Sequence, residues 1–321
     1  MIRDFIGELL AAAHSQHASD IYVLPWQTGY QIRLRNVRAV TAWRQVSQSL
    51  GEQVVTYFKF QANMGVSEHR RPQVGALTWP GESPLELRFS TVGDYAGRES
   101  LVIRLIYPYY TGRMAYLDDQ QPKHLHQLAG QRGLILFAGP TGSGKTTMMY
   151  TIASQLADTA TVLTIEDPVE IKAENFIQLQ VNDAAGMSYE ALLKVGLRHR
   201  PDIFIIGEIR DQLTAQAAVR AALSGHLVLS TVHAQNASGI VPRLTELGIS
   251  LPQLRQVLTA SCYQRLVPRE TQSPAVLLDI LTGQQLWQTR RTTSERWQQI
   301  LEDAKEHRII SAETAQKLRE G

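Results

Sequence analysis

Apolar and polar residues change rhythm along the 321 residues, and the rhythm predicts the elements. Ile2, Phe5, Ile6, Leu9 and Leu10 recur at helical spacing, predicting an amphipathic helix over Met1 to Ala13 whose apolar face packs on its own domain. A helix lying in a membrane surface is the competing reading. Ile21 to Leu24 predicts a strand, and Tyr30 to Arg35 alternates with period two, as a half-buried strand does. Gln45 to Asn63 predicts a helix, and the polar stretch Glu68 to Leu77 a loop leading into a strand. Leu85 to Ser90 and Leu101 to Ile106 alternate again. These elements compose a small α+β domain over residues 1–106. Tyr107 to Gly112, with Pro108 and Gly112 as breakers, reads as a packed linker.

From residue 113 the pattern changes. Pro122 to Gln131 predicts a short helix, and the apolar run Gly133 to Ala138 a buried strand. Val162 to Ile165, Ile203 to Ile206 and Leu227 to Ser230 predict further strands, with helices at Ser188 to His199 and Asp211 to Ser224. Such alternation predicts an α/β domain over residues 113–321, a mainly parallel sheet with helices on both faces. The chain from about Ser238 onward reads as mostly helical, with one strand-like run, Ala275 to Leu281.

Composition narrows the classes. An apolar fraction of 44% with 19% charged residues is that of an ordinary globular chain, and its length suggests about two domains. A net charge of +2, without a basic groove interleaved with aromatic residues, argues against nucleic acid as a direct partner. No run approaches a membrane span, and Asp4 and Glu8 interrupt the N-terminal apolar stretch, which argues against a signal peptide. The single Cys262 permits no internal disulfide and no multi-cysteine zinc site, and it reads as core. A cytoplasmic protein is expected.

The chemistry centres on Gly139-Pro140-Thr141-Gly142-Ser143-Gly144-Lys145-Thr146, which fits the phosphate-binding loop G-x-x-x-x-G-K-[ST]. Glycines let the backbone curl so that its N–H groups meet phosphate oxygens. Lys145 brings a mobile charge to the β and γ phosphates, and Thr146 offers a hydroxyl to Mg²⁺. The helix that continues through Thr147 points its positive dipole end at the same phosphates. The expected ligands are therefore ATP and Mg²⁺.

Each strand of this second domain runs into polar residues, where an open parallel sheet places its ligand. Glu166 and Glu170 follow Ile165, and Glu208 follows Ile206. Such a carboxylate can orient and deprotonate the attacking water, or hold Mg²⁺ through water. Asp211 is expected to cap the next helix. His226 and His233 flank the third strand. His233 is placed to sense the γ phosphate, against the plainer reading of a histidine satisfied by backbone.

In this order the motifs resemble those of the secretion and type IV pilus ATPase family, of the GspE, PilB and PilT kind. Gly139 to Thr147 is similar to its Walker A box. Ile165 to Glu170 resembles its acidic box, Leu197 to Asp211 its Walker B box, and Gly225 to His233 its His box. Ala18 to Ile21, Arg70 to Gln73, Leu87 to Thr91, Val102 to Leu105 and Gln264 to Val267 also resemble family motifs, so the likeness covers about residues 15 to 270. Within the family the short chain is most similar to the competence pseudopilus ATPases of Gram-positive bacteria. It lacks a long N-terminal domain, a tetracysteine insertion and the Ala-Ile-Arg-Asn-Leu-Ile-Arg-Glu motif of retraction motors.

The resemblance implies a RecA-like P-loop NTPase domain preceded by a PAS-like α+β domain. It implies an ATP hydrolase working as a homohexamer on a polytopic membrane platform protein, peripheral at the inner face of the cell membrane. It implies Glu208 as general base, with Glu166 and Glu170 positioning water and metal. Arg88 and Arg104, and less strongly Arg71, would be lent to the nucleotide by the small domain. A retraction motor and a DNA-handling P-loop ATPase are the rival readings, with a nucleotide-binding switch that barely turns over as a third.

Overall fold

The computed structural model describes residues 2–81, 85–107, 114–271, 273–288 and 292–319. Most of the expected linker, from Pro108 to Gly112, lies outside them. The chain divides into two compact units, Met1–Pro108 and Tyr109–Gly321.

The first unit begins with α1 (Ile2–Ser15), then β1 (Asp20–Trp26), β2 (Gly29–Arg35), β3 (Val40–Ser47), α2 (Gln48–Gln61), β4 (Gln73–Trp79), β5 (Leu85–Gly93) and β6 (Glu99–Ile106). Its antiparallel sheet has the order β3-β2-β1-β6-β5-β4. Phe5, Ile6, Leu9 and Leu10 of α1 are buried with Val54, Val55 and Phe58 of α2 and the inward residues of the strands. Burying such side chains contributes about 1.5–3 kcal/mol each, which ties α1 to its own unit rather than to a membrane surface. One charged pair enters this core. Lys59 Nζ donates to Glu99 Oε1 at 2.7 Å and to the Glu68 carbonyl at 2.6 Å, fully out of solvent.

The second unit comprises α3 (Gln120–Ala129), β7 (Gly133–Ala138), α4 (Lys145–Leu156), β8 (Val162–Glu166), β9 (Ile177–Gln180), α5 (Tyr189–Arg198), β10 (Ile203–Ile209), α6 (Gln212–Leu223) and β11 (Leu227–Val232). It continues with α7 (Ile240–Glu246), α8 (Leu251–Val257), β12 (Leu258–Val267), β13 (Ala275–Leu281), α9 (Glu295–Glu306) and α10 (Ala312–Lys317). The sheet order is β13-β12-β7-β11-β10-β8-β9, parallel throughout except for β13. Separate apolar clusters cover its two faces. One gathers α5 to α9, and the other α3 and α4.

The structure departs from the sequence expectations in several elements, among them β3, which was not expected at all. The helix expected from Gln45 starts at Gln48, because Gln45 to Ser47 finish β3 and the Ser47 side chain caps α2 by accepting from Leu50 N–H. β10 runs on to Ile209, past the expected end at Ile206. β9 forms an unexpected edge. Within the stretch expected to be mostly helical, β12 is a ten-residue strand lying between β7 and β13.

Candidate active site

The chain leaves β7 at Ala138 and curls before entering α4. Gly139 has φ 141° and Gly144, at the start of the helix, φ 84°. A Cβ on Gly139 would lie 2.2 Å from the Gln264 carbonyl oxygen, so only glycine fits there. The Lys145 ammonium folds back and donates to the carbonyls of Gly139 and Pro140, both at 2.9 Å. Burial pushes its pKa below the ordinary lysine value, while the carboxylates of Glu208 and Glu170 pull the other way. These two acids therefore share the electrostatic field of the loop lysine.

Glu208 reaches this place through a β-bulge. Ile206 pairs with Ser230 but Glu208 with Thr231, leaving Gly207 as the extra residue. Two hydroxyls of β11 secure the bulge: Ser230 Oγ donates to the Ile206 carbonyl at 2.5 Å, and Thr231 Oγ1 to the Gly207 carbonyl at 2.8 Å. The Glu208 carboxylate, 20% exposed, is bracketed by His233 Nε2 at 2.7 Å on Oε1 and Arg210 Nε at 2.6 Å on Oε2. Arg210 also reaches Asp167 at 3.8 Å. The hydrogen bond to Glu208, ahead of the charges of Glu208 and Asp167, holds the Arg210 guanidinium pKa above its ordinary value.

Glu166 is the last residue of β8 and is 4% exposed. Tyr150 of α4 donates to its Oε1 at 2.5 Å, and Gln178 Nε2 donates to the same tyrosine oxygen at 2.7 Å. Burial lifts the Glu166 pKa above the ordinary carboxyl value. Glu170, four positions on, is exposed. The expected cap is present: Asp211 Oδ1 accepts from Thr214 N–H at 2.8 Å. Cys262 is fully buried on β12, and burial pushes its thiol pKa far up.

His233 thus joins the site through Glu208, but His226 does not. His226 precedes β11, its Nδ1 donates to the Pro201 carbonyl at 2.5 Å, and its own carbonyl accepts from Gly133 N–H at 3.1 Å, at the start of β7. β7 and β11 are parallel, so the phosphate loop lies at their other ends. Six residues of strand at about 3.3 Å each put roughly 20 Å between them. The reading of His226 as a site residue is corrected: it secures the opposite rim of the sheet.

Arg88 and Arg104 belong to the first unit. They face each other in register on β5 and β6, turned from the apolar face that buries Leu87, Phe89, Ile103 and Leu105. Arg104 Nε lies 3.5 Å from Asp20 Oδ1.

Three residues here had been given no role from the sequence. Arg210 stands two places after Glu208, so strand alternation alone could have put both on one side. Tyr150 carried no such signal. Gln264 stood in the sequence as the first residue of a stretch resembling a family motif, with no role attached to it.

This geometry is that of a P-loop nucleoside triphosphatase. The chain matches the family model of Type II/IV secretion system proteins over residues 1–314 and belongs to that family. It is 43% identical over 276 residues to Competence protein ComGA of Streptococcus pneumoniae (strain ATCC BAA-255 / R6), a match covering 83% of this chain and 85% of that protein. The X-ray structure of the Legionella pneumophila ATPase DotB matches with TM-score 0.75 at 20% identity, covering 98% of this chain and 94% of that one. The pilus retraction motor PilT with bound ADP matches with TM-score 0.65 at 20% identity, covering 97% and 96%. These two show the fold: a RecA-like ATPase domain preceded by a small α+β domain. No helix among the described residues is long and apolar enough to cross a membrane.

Proposed function

We propose that this chain is an ATP-hydrolysing motor that powers assembly of a competence pseudopilus, a type IV pilus-like fibre, in a machine related to type II secretion. The carrying observation is the phosphate loop that follows β7, with Glu208 held near the end of β10 in the same parallel sheet, in a chain of the Type II/IV secretion family with 43% identity to a competence protein. Lys145 and the backbone N–H groups from Gly139 to Thr147 hold the phosphates. Glu208, on its secured bulge, orients and deprotonates the attacking water, with His233 fixing one carboxylate oxygen. Exposed Glu170 helps position water, and buried Glu166 shapes the floor beneath it.

Mg²⁺ takes oxygen ligands and keeps several waters, so the Thr146 hydroxyl at the start of α4 and the Glu208 carboxylate fit it without an all-protein cage. When bound it neutralises charge on the phosphate oxygens. Arg88 and Arg104 add positive charge to the γ phosphate during turnover. Copies of the chain form a hexameric ring that meets a polytopic membrane platform protein at the inner face of the cell membrane.

Two measurements test the reading. In calorimetry the chain should bind ATP, and Lys145→Ala should lose most of that affinity. In cells, deleting the gene should abolish surface fibres and DNA uptake together. Near-normal ATP binding by Lys145→Ala sinks the nucleotide site, and a surplus of fibres after deletion assigns the chain to retraction.

A further inference from the structure

Gln264 is wholly buried, and none of the roles above uses it. It stands one residue beyond the pairing of Tyr263 with Ala138, where β12 runs beside the end of β7. Both ends of the phosphate loop rest on it. Its backbone carbonyl packs against Gly139. Its side-chain Nε2 donates to the Ser143 carbonyl at 2.7 Å and lies 3.2 Å from where a Cβ of Gly144 would stand. Two more polar atoms at this contact, Gln264 Oε1 and Ser143 Oγ, are buried without a hydrogen-bond partner among the described residues. A methionine would fill the same volume without the unpartnered Oε1 but would leave the Ser143 carbonyl without its donor, so the amide is there for that hydrogen bond and not for packing alone.

Peptide geometry does. The peptide joining Ser143 to Gly144 is planar and trans, so its C=O and N–H point in opposite directions. Holding the Ser143 oxygen toward Gln264 turns the Gly144 N–H away from β12. The strand that carries this amide is itself fixed. Gln264 pairs with Leu278 of β13, and the Gln121 side chain accepts from Leu278 N–H at 3.0 Å and donates to its carbonyl at 2.6 Å.

We propose that Gln264 is the positioning residue of the phosphate loop: its carboxamide sets the Ser143–Gly144 peptide plane so that the Gly144 N–H is preset for a phosphate oxygen of the bound nucleotide. Gln264 touches no phosphate itself. The inference rests on the reading of Gly139 to Thr147 as the nucleotide site.

The test is ADP binding by calorimetry, together with ATP turnover, on the full chain. Gln264→Met should raise the ADP Kd about tenfold, the worth of one well-placed hydrogen bond. KM should rise with it while kcat at saturating ATP stays within about twofold, because the residue acts on binding. A merely structural amide would lower the melting temperature of the nucleotide-free chain and leave the Kd of the folded fraction alone, and that result overturns the inference. If Gln264→Met does not fold, Gln264→Asn, which withdraws the amide by one methylene, should show the same raised Kd; a wild-type value overturns the inference. Lys145→Ala separates the two readings. If the unmodified chain binds ADP no better than Lys145→Ala, the nucleotide site falls and the positioning role with it. If Lys145→Ala loses binding and Gln264→Met keeps it, only the positioning role falls.

Discussion

Glu166 and Glu208 sit at the ends of adjacent parallel strands of one sheet, each after an apolar run, yet the fold makes different acids of them. Register separates them. Ile165 pairs with Ile206, so the residue level with Glu166 is Gly207, and Glu208 comes one place later, beyond the bulge. Glu166 is buried and accepts from Tyr150, with no ion pair to it among the described residues. Glu208 stands at the rim between Arg210 and His233, in the field of Lys145. The two local sequences look equally suited to chemistry. One extra residue in β10 decides which carboxylate can reach water and which becomes part of the floor.

The largest expected effect falls outside both acids. If the first unit lends its arginines to the γ phosphate, Arg104→Ala will bind ATP within a few-fold of normal and lose about a thousandfold in turnover, leaving both acids idle. Wild-type turnover by Arg104→Ala and Arg88→Ala together would remove the first unit from the chemistry. Next is Glu208→Gln, which keeps the shape and removes the base: ATP should still bind while turnover drops about a hundredfold or more. Glu166→Gln should cost no more than about tenfold, since its carboxylate faces Tyr150 rather than solvent. Steady-state ATPase rates of the two variants side by side decide the matter, and a reversed ranking would make Glu166 the base.

Glu166 offers a second contrast, in stability. Burial raises its folded pKa above the ordinary 4.5, so between 4.5 and that higher value the folded chain holds more proton than the unfolded one. Stability must therefore fall as pH rises through this window. Glu166→Gln removes the titration, so its urea midpoint should gain on that of the unmodified chain as pH climbs from 4.5 toward neutrality. A constant difference across the window would show that Glu166 is not held in a proton-favouring site.

What could be read in advance follows how local each signal is. The bounds of α5 and α6 were legible because Ser188 and Asp211 cap them within three residues. The phosphate loop was legible because its spacing is its geometry. β3 was not. Its half-buried residues fall at Val40, Trp43 and Val46, spaced by three as in a helix. The cause is a bulge: Ile32 pairs with Arg44 and Arg33 with Ala42, so Trp43 has no partner and the alternation breaks. β12 was hidden because it is buried on both faces and mixes Ser261 and Gln264 with apolar residues, so no period marks it. The contacts that shape the site span the chain. Tyr150 and Glu166 are 16 residues apart, and Ser143 and Gln264 are 121 apart.

The smallest expected effect concerns the two histidines, which the sequence presents as a symmetric pair around β11. His233 lies at the rim with Glu208, 2.7 Å from its carboxylate. His226 lies at the other end of the same strand, where its ring holds the Pro201 carbonyl and its backbone holds Gly133. A proton or charge on His226 is separated from the loop by the length of a strand, roughly 20 Å, well beyond the Debye length of about 8 Å at physiological salt. The interaction its ring makes is one hydrogen bond to a backbone carbonyl, worth about 0.5–1.5 kcal/mol net. His226→Gln should therefore leave kcat and KM within about twofold and lower the unfolding free energy by about 1 kcal/mol. His233→Gln should do the opposite, slowing turnover by about tenfold as Glu208 loses one of its two partners, with little change in stability at an exposed site. Turnover and urea midpoints measured on both variants test the ends of the strand against each other. A His226→Gln chain that folds normally yet turns over ten times more slowly would mean that the far rim of the sheet is coupled to the phosphate loop.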